Sequence, residues 1–212
     1  VCGKRQKYFI KLKKNKIKWI FVATPNQTHY KIVKKCLQNK INVFCEKPLC
    51  LSYEKAKNLV NLSKKNKLKL YISDIYEYHS KKIKRLKTSN SIYRSKYVAG
   101  SDREFLYRFM YHDLSILYKF LKKNPITYFN ISKKNKKKLF DVKVRLKQKQ
   151  SIHFLYDLDL KKKYHYFNNI KIFSKKDILN KMLNDVLNNK ISIKRNNTKA
   201  LYILKILNKL KK

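Results

Sequence analysis

Two short polar clusters near the start of the chain have the residue types of a ligand-binding rim: Thr24-Pro25-Asn26 and Glu46-Lys47-Pro48. Each follows a brief apolar run, Trp19–Ala23 and Val43–Cys45, too short for a helix and rich in strand formers. Pro25 fixes one φ and Asn26 tolerates unusual ones, so the first cluster reads as a turn. Lys47 is tied between an acid and a proline at a strand end, which sets it apart from the many lysines on helix backs. Farther on, His112 sits in a long helical pattern with Arg108 one turn earlier and Asp113 beside it. At i and i+4 Arg108 and His112 share a face, and the like charge disfavours a protonated imidazole. An ammonium and an imidazole are groups able to hold or move a proton near neutral pH.

The elements that position the first two clusters are legible. Residues 30–39 have helical spacing, with Tyr30, Val33 and Leu37 on one face, Ile32 and Cys36 flanking, and Lys31, Lys34 and Lys35 in water. Strand, turn, helix and strand with such short links form a βαβ unit whose crossover is right-handed. Ligands of parallel sheets sit beyond the carboxyl ends of the strands, and both polar clusters fall at that edge.

The motifs ATPNQTH at 23–29 and VFCEKPL at 43–49, at this spacing, resemble the glucose–fructose oxidoreductase / inositol dehydrogenase / rhizopine-catabolism (Gfo/Idh/MocA) family, NAD(P)-dependent oxidoreductases of sugars and polyols. The resemblance implies a fold of two kinds. A Rossmann-like parallel sheet, here only partial, spans residues 1–75, and an α+β domain with a mainly antiparallel sheet spans 76–212, for substrate and oligomerisation. It implies NAD or NADP as cofactor, with Ala23, Thr24, Pro25, Asn26, His29, Glu46, Lys47 and Pro48 on its nicotinamide side. Lys47 positions or polarises the substrate hydroxyl, and the bond before Pro48 is often cis in the family. His112 matches the family's acid/base histidine and is expected to face Lys47 across one cleft. The family usually has Asp where this chain has Arg108. Asp113 or Asp102 are candidate replacements for that carboxylate, and Arg108 is a candidate clamp for an anionic substrate such as a sugar acid or nucleotide sugar. Asp74 and Tyr76, after the strand 69–73, stand where a sugar-like substrate reaches them. His29 either reaches the cofactor or packs at the helix start. No metal site is expected.

A dinucleotide-binding fold opens with G-x-G-x-x-G and an acidic residue about 20 positions on. The 212 residues hold two glycines, Gly3 and Gly100, so that fingerprint is not among them. The expectation is therefore a chain whose first βαβ half lies before Val1, or a relative that has lost its pyrophosphate site and binds dinucleotide weakly or not at all. A truncated non-catalytic relative is the main rival reading.

Later elements follow by the same rules. Ser52 caps a helix to Lys65, and a basic helix spans 77–88. A strand covers 92–98, and the longest helix covers 103–122, ended by Pro125. Strands at 126–132, 139–147, 151–157 and 164–173 suggest an antiparallel meander, and helices cover 176–189 and 198–209. His79, His153 and His165 offer no partner in the sequence. Cys2, Cys36, Cys45 and Cys50 lack metal spacing and suit reduced core positions in a cytoplasmic protein. No apolar run approaches the roughly 20 residues of a membrane helix.

The formal net charge of +43 attracts any polyanion non-specifically. Its lysines are spread over the whole chain rather than gathered in a stripe. With Asn and Ile abundant, that pattern suits an A/T-rich coding sequence better than a dedicated nucleic-acid-binding protein, the third reading. The same charge opposes a homo-oligomer unless it is screened.

Overall fold

The computed structural model describes residues 17–78, 93–96, 106–134, 139–157, 159–167, 170–171 and 177–210. In chain order the first elements are β1 (Trp19–Val22), α1 (Asn26–Gln38), β2 (Asn42–Cys45), α2 (Tyr53–Lys65) and β3 (Leu70–Ile72). A 3-10 turn (Ile75–Tyr78), β4 (Tyr93–Lys96), a π-helical turn (Leu106–Met110) and α3 (Tyr111–Lys123) follow. Then come β5 (Ile126–Lys134), β6 (Leu139–Leu146), β7 (Ser151–Asp157), β8 (Asp159–Phe167), β9 (Ile170–Lys171), α4 (Ile178–Leu187) and α5 (Ile193–Leu210). The chain divides into two compact units: 1–74 with 106–111 and 183–212, and 75–105 with 112–182.

The first unit is built on a parallel sheet of order β1-β2-β3. Val43, Cys45, Leu70, Tyr71 and Ile72 are buried, as expected of strands covered on both faces. Helix α1 adds Val33, Cys36 and Leu37, and α2 adds Ala56, Leu59 and Val60. The Ser52 hydroxyl accepts from Lys55 N at 3.4 Å, which caps α2 as the sequence indicates. With glycine so scarce, α1 and α2 end through lysines in the left-handed region, Lys40 at φ 61° and Lys67 at φ 54°. Each closes a bond back across the helix end, Ile41 N to Cys36 O at 3.1 Å and Leu68 N to Ser63 O at 2.8 Å.

Helix α5 returns to this unit and starts five residues before the expected 198. Its first turns look solvated in sequence (Lys194-Arg195-Asn196-Asn197), yet Asn196 is buried against β3. The Asn196 amide donates to Ile72 O and accepts from Ile72 N, both at 2.9 Å, so one side chain serves β3 as a further strand would. Ile203, Leu204 and Leu207 then complete the core.

The second unit contains the antiparallel sheet β5-β6-β7. Its strands alternate cleanly, with Phe140, Val142, Val144, Ile152, Phe154 and Tyr156 buried and the residues between them at least partly exposed. The Asn124 side chain, after α3, accepts from Gln148 N and donates to Gln150, which pins the β6–β7 turn. One expectation is corrected here. The strand read at 164–173 is a hairpin of β8 and β9, and it is not the fourth strand of the meander: β8 pairs with β4. Lysines at 161–163 hide the start of β8, and a partner some 70 positions away leaves no local signature. The helix expected at 77–88 falls largely outside the described residues, as do Cys2, His79 and Asp102.

Candidate functional site

In the first unit both polar clusters leave the sheet at one edge. The ladder runs one residue past each strand: Glu46 N donates to Val22 O, and Ser73 N to Cys45 O, both at 2.8 Å. These bonds fix where each turn begins. Thr24 is half-buried and Ala23 and Pro25 are exposed. Asn26 is the first residue of α1 rather than part of a free turn, and Pro25 occupies the cap position. The Lys47–Pro48 bond is cis.

His29 links the two clusters. It is fully buried, with Nδ1 2.8 Å from Pro48 O and Nε2 2.7 Å from Thr24 O. Of the two placements its position allowed, the packed one is observed, and it bears on the rim by holding both turns. Lys47 is half-buried, and its ammonium donates to Arg108 O at 2.6 Å. That carbonyl belongs to the π-helical turn, a local widening that re-aims backbone groups and recurs at functional sites. Burial pushes the Lys47 ammonium down to about 8, and the Arg108 charge acts in the same sense, while Glu46 and Asp74 act against them.

Asp74 is buried and pairs with Lys199 at 2.5 Å. Tyr111 is buried as well, and its phenol is pushed well above its ordinary value by burial and by the charges of Asp74, Cys45 and Glu46. Lys199 and Tyr111 carried no signal in the sequence; both read as ordinary helix residues. Arg108 has an exposed side chain.

The second unit holds His112, Asp113 and Tyr76. His112 is half-buried, and Asp113 is fully buried. The Asp113 carboxylate accepts from Tyr156 Oη at 2.7 Å and lies 2.7 Å from His165 Nε2. The ring of Tyr76 is tilted against His112 at 4.5 Å and stands edge-on to His165 at 5.3 Å. Burial, then the charge of Asp113, pushes the Tyr76 phenol up to about 12. Sequence spacing brought His112, Asp113 and Tyr76 into view; His165 and Tyr156 enter only through the fold.

Residues 9–73 match the family described as "Oxidoreductase family, NAD-binding Rossmann fold", GFO_IDH_MocA. Over that stretch the chain is similar to the Gfo/Idh/MocA family. An uncharacterized oxidoreductase of Streptococcus pneumoniae is 39% identical over 59 residues, 28% of this chain and 16% of that protein. The 2,7-anhydro-N-acetylneuraminate hydratase of Escherichia coli is 49% identical over 45 residues, 21% of this chain and 12% of that protein. The matched stretches thus span less than a fifth of these relatives' own length. Among solved structures, the WlbA (WbpB) dehydrogenase from Thermus thermophilus, in complex with NAD and UDP-GlcNAcA, superposes with a TM-score of 0.76 at 13% identity. The superposition covers 99% of this chain and 78% of that one, and carries the likeness of fold through both units.

Proposed function

We propose that this chain is a Gfo/Idh/MocA-type protein, an NAD(P)-dependent oxidoreductase acting on a CH–OH group of a sugar, polyol or nucleotide sugar. The observation that carries the reading is Lys47: a lysine at the sheet's carboxyl edge, half-buried and fixed by a backbone carbonyl, in the motif the family uses. The residues present fit the nicotinamide end of the cofactor. Thr24 and Asn26 offer short polar groups and exposed backbone at the β1 edge, and Glu46, Lys47 and Pro48 line the β2 edge. NAD or NADP, when bound, supplies the hydride acceptor. In the first unit Lys47 is the group proposed to hold and polarise a substrate hydroxyl; in the second, His112 is the proposed proton-exchanging group and Tyr76 a proposed sugar contact. The exposed Arg108 side chain suits an anionic substrate such as a nucleotide sugar, a class for which the UDP-GlcNAcA-bound dehydrogenase of similar fold is a precedent. Asp74, a proposed substrate contact, is paired with Lys199. Among the described residues no helix is long and apolar enough to cross a membrane, and a cytoplasmic site of action suits the family.

A second reading rests on the glycine count. With Gly3 and Gly100 as its glycines, this sequence carries no G-x-G-x-x-G, and a non-catalytic relative would share every feature above. NADH fluorescence titration, followed by absorbance at the nicotinamide band with a panel of UDP-sugars and polyols, separates the two. Substrate-dependent reduction of NAD or NADP that Lys47→Met abolishes supports the enzyme. Absence of both binding and turnover supports the non-catalytic relative.

A further inference from the structure

In the second unit, the carboxylate beside His112 is committed to another histidine. Successive helical residues point about 100° apart, so Asp113 does not serve His112 through adjacency; it faces His165 on β8 and Tyr156 on β7. An ionised carboxylate only accepts, so this hydrogen bond requires a proton on His165 Nε2. Asp113 is thereby held from two strands, and its side chain is fully buried. Tyr76 completes the chain of contacts, edge-on to His165 and tilted onto His112. Its raised phenol keeps the ring neutral beside the carboxylate.

We propose that Asp113 and His165 form a positioning pair that, through the ring of Tyr76, sets the orientation of His112 for proton exchange with the substrate hydroxyl. The proposal rests on the oxidoreductase reading for the role of His112, and it assigns a function to His165. His165 itself is nearly buried, so it acts through another side chain. A proton-transferring imidazole must hold its nitrogen in line with the hydroxyl, and a misplacement of about 1 Å costs on the order of a hundredfold. His112, half-exposed on a helix, gains that constraint from the Tyr76 ring, and Tyr76 gains its own from an imidazole whose tautomer the carboxylate fixes.

Tautomer-resolved ¹⁵N NMR of the 212-residue chain tests this without any substrate. The expected result is His165 as the Nε2–H form, lost in Asp113→Asn, with a change in the ring shifts of His112 in that variant. His165→Gln, which retains a donor toward Asp113 and so guards against simple unfolding, should also move the His112 resonances. Tyr76→Leu should move them while leaving the His165 tautomer intact. Unchanged His112 resonances in His165→Gln and Tyr76→Leu, or a mixed tautomer at His165 in the parent chain, would overturn the pair. Where turnover is measurable, His165→Gln should lower kcat about tenfold or more at unchanged KM; unchanged kcat would also overturn it. Failure of hydride transfer with an intact NMR coupling would sink the oxidoreductase reading instead, so the two failures are told apart.

Discussion

The rim of the first unit and the histidine cluster of the second are held by different kinds of bond. At the rim, side chains are fixed by main-chain carbonyls: His29 between Thr24 and Pro48, Lys47 on Arg108. In the cluster, side chains fix one another: Tyr156 and His165 on Asp113, rings on Tyr76. A carbonyl remains in place when a nearby side chain is changed, whereas a side-chain partner can be deleted outright. The rim should therefore tolerate substitution with local effects, and the cluster should fail as a group.

The sharpest probe is on function. Lys47→Met should cost roughly 10²–10³ in kcat, by analogy with removal of a single preorganised donor, with a small change in stability. Steady-state kinetics beside urea unfolding check both halves, and a loss of fold in place of turnover would break the comparison. On the other side, Asp113→Ala removes the acceptor of two buried donors and should cost about 3 kcal/mol in urea unfolding. Asp113→Ala combined with Tyr156→Phe should cost less than the sum of the single changes. His29→Leu loses the ties to two carbonyls and should cost about 2 kcal/mol. Its hydrogen-exchange change should be confined to residues 24–29 and 46–49; spread of the change through β3 would mean that the rim is as cooperative as the cluster.

A smaller effect comes from pH. The Lys47 ammonium sits at about 8 in the fold against 10.5 ordinarily. Between those values the unfolded chain binds the extra proton, so the lysine's contribution to stability rises with pH across that window. The parent chain should gain on Lys47→Met in urea midpoint from pH 8 to pH 10, while turnover that depends on the charged amine declines over the same range. A flat difference would place Lys47 in water rather than on Arg108. Smallest of all, Lys67→Gly in the first unit and Lys149→Gly in the second repair left-handed lysines at φ 54° and 59°. Each should stabilise by about 1 kcal/mol, and the two effects should match because the backbone repair is blind to how each site is held.

The same contrast decides what a reader of the sequence can see. The rim is a local object: the apolar runs, Pro25, the EKP cluster and the Ser52 cap all act within a few positions, and β1, α1, β2 and α2 fall within four residues of their expected bounds. The cluster is a long-range object. His165 meets Asp113 across 52 positions, and β8 meets β4 across a comparable gap, so neither pattern nor propensity announces them. Helix α5 starts early for a related reason, because Asn196 looks like a solvated residue until Ile72 supplies its two hydrogen bonds. The π-helical turn is invisible as well: Leu106, Tyr107 and Met110 fit a regular helix equally well on paper.

That amide on Ile72 has a consequence for how the protein keeps to itself. Among the described residues β3 lies at the margin of its sheet, and a bare margin is a template on which a stray strand from another molecule can dock. Asn196 occupies the hydrogen-bonding positions such an intruder would need. A chain with this much lysine relies on charge to hold copies apart in dilute salt; as salt rises and that repulsion fades, one asparagine guards the seam.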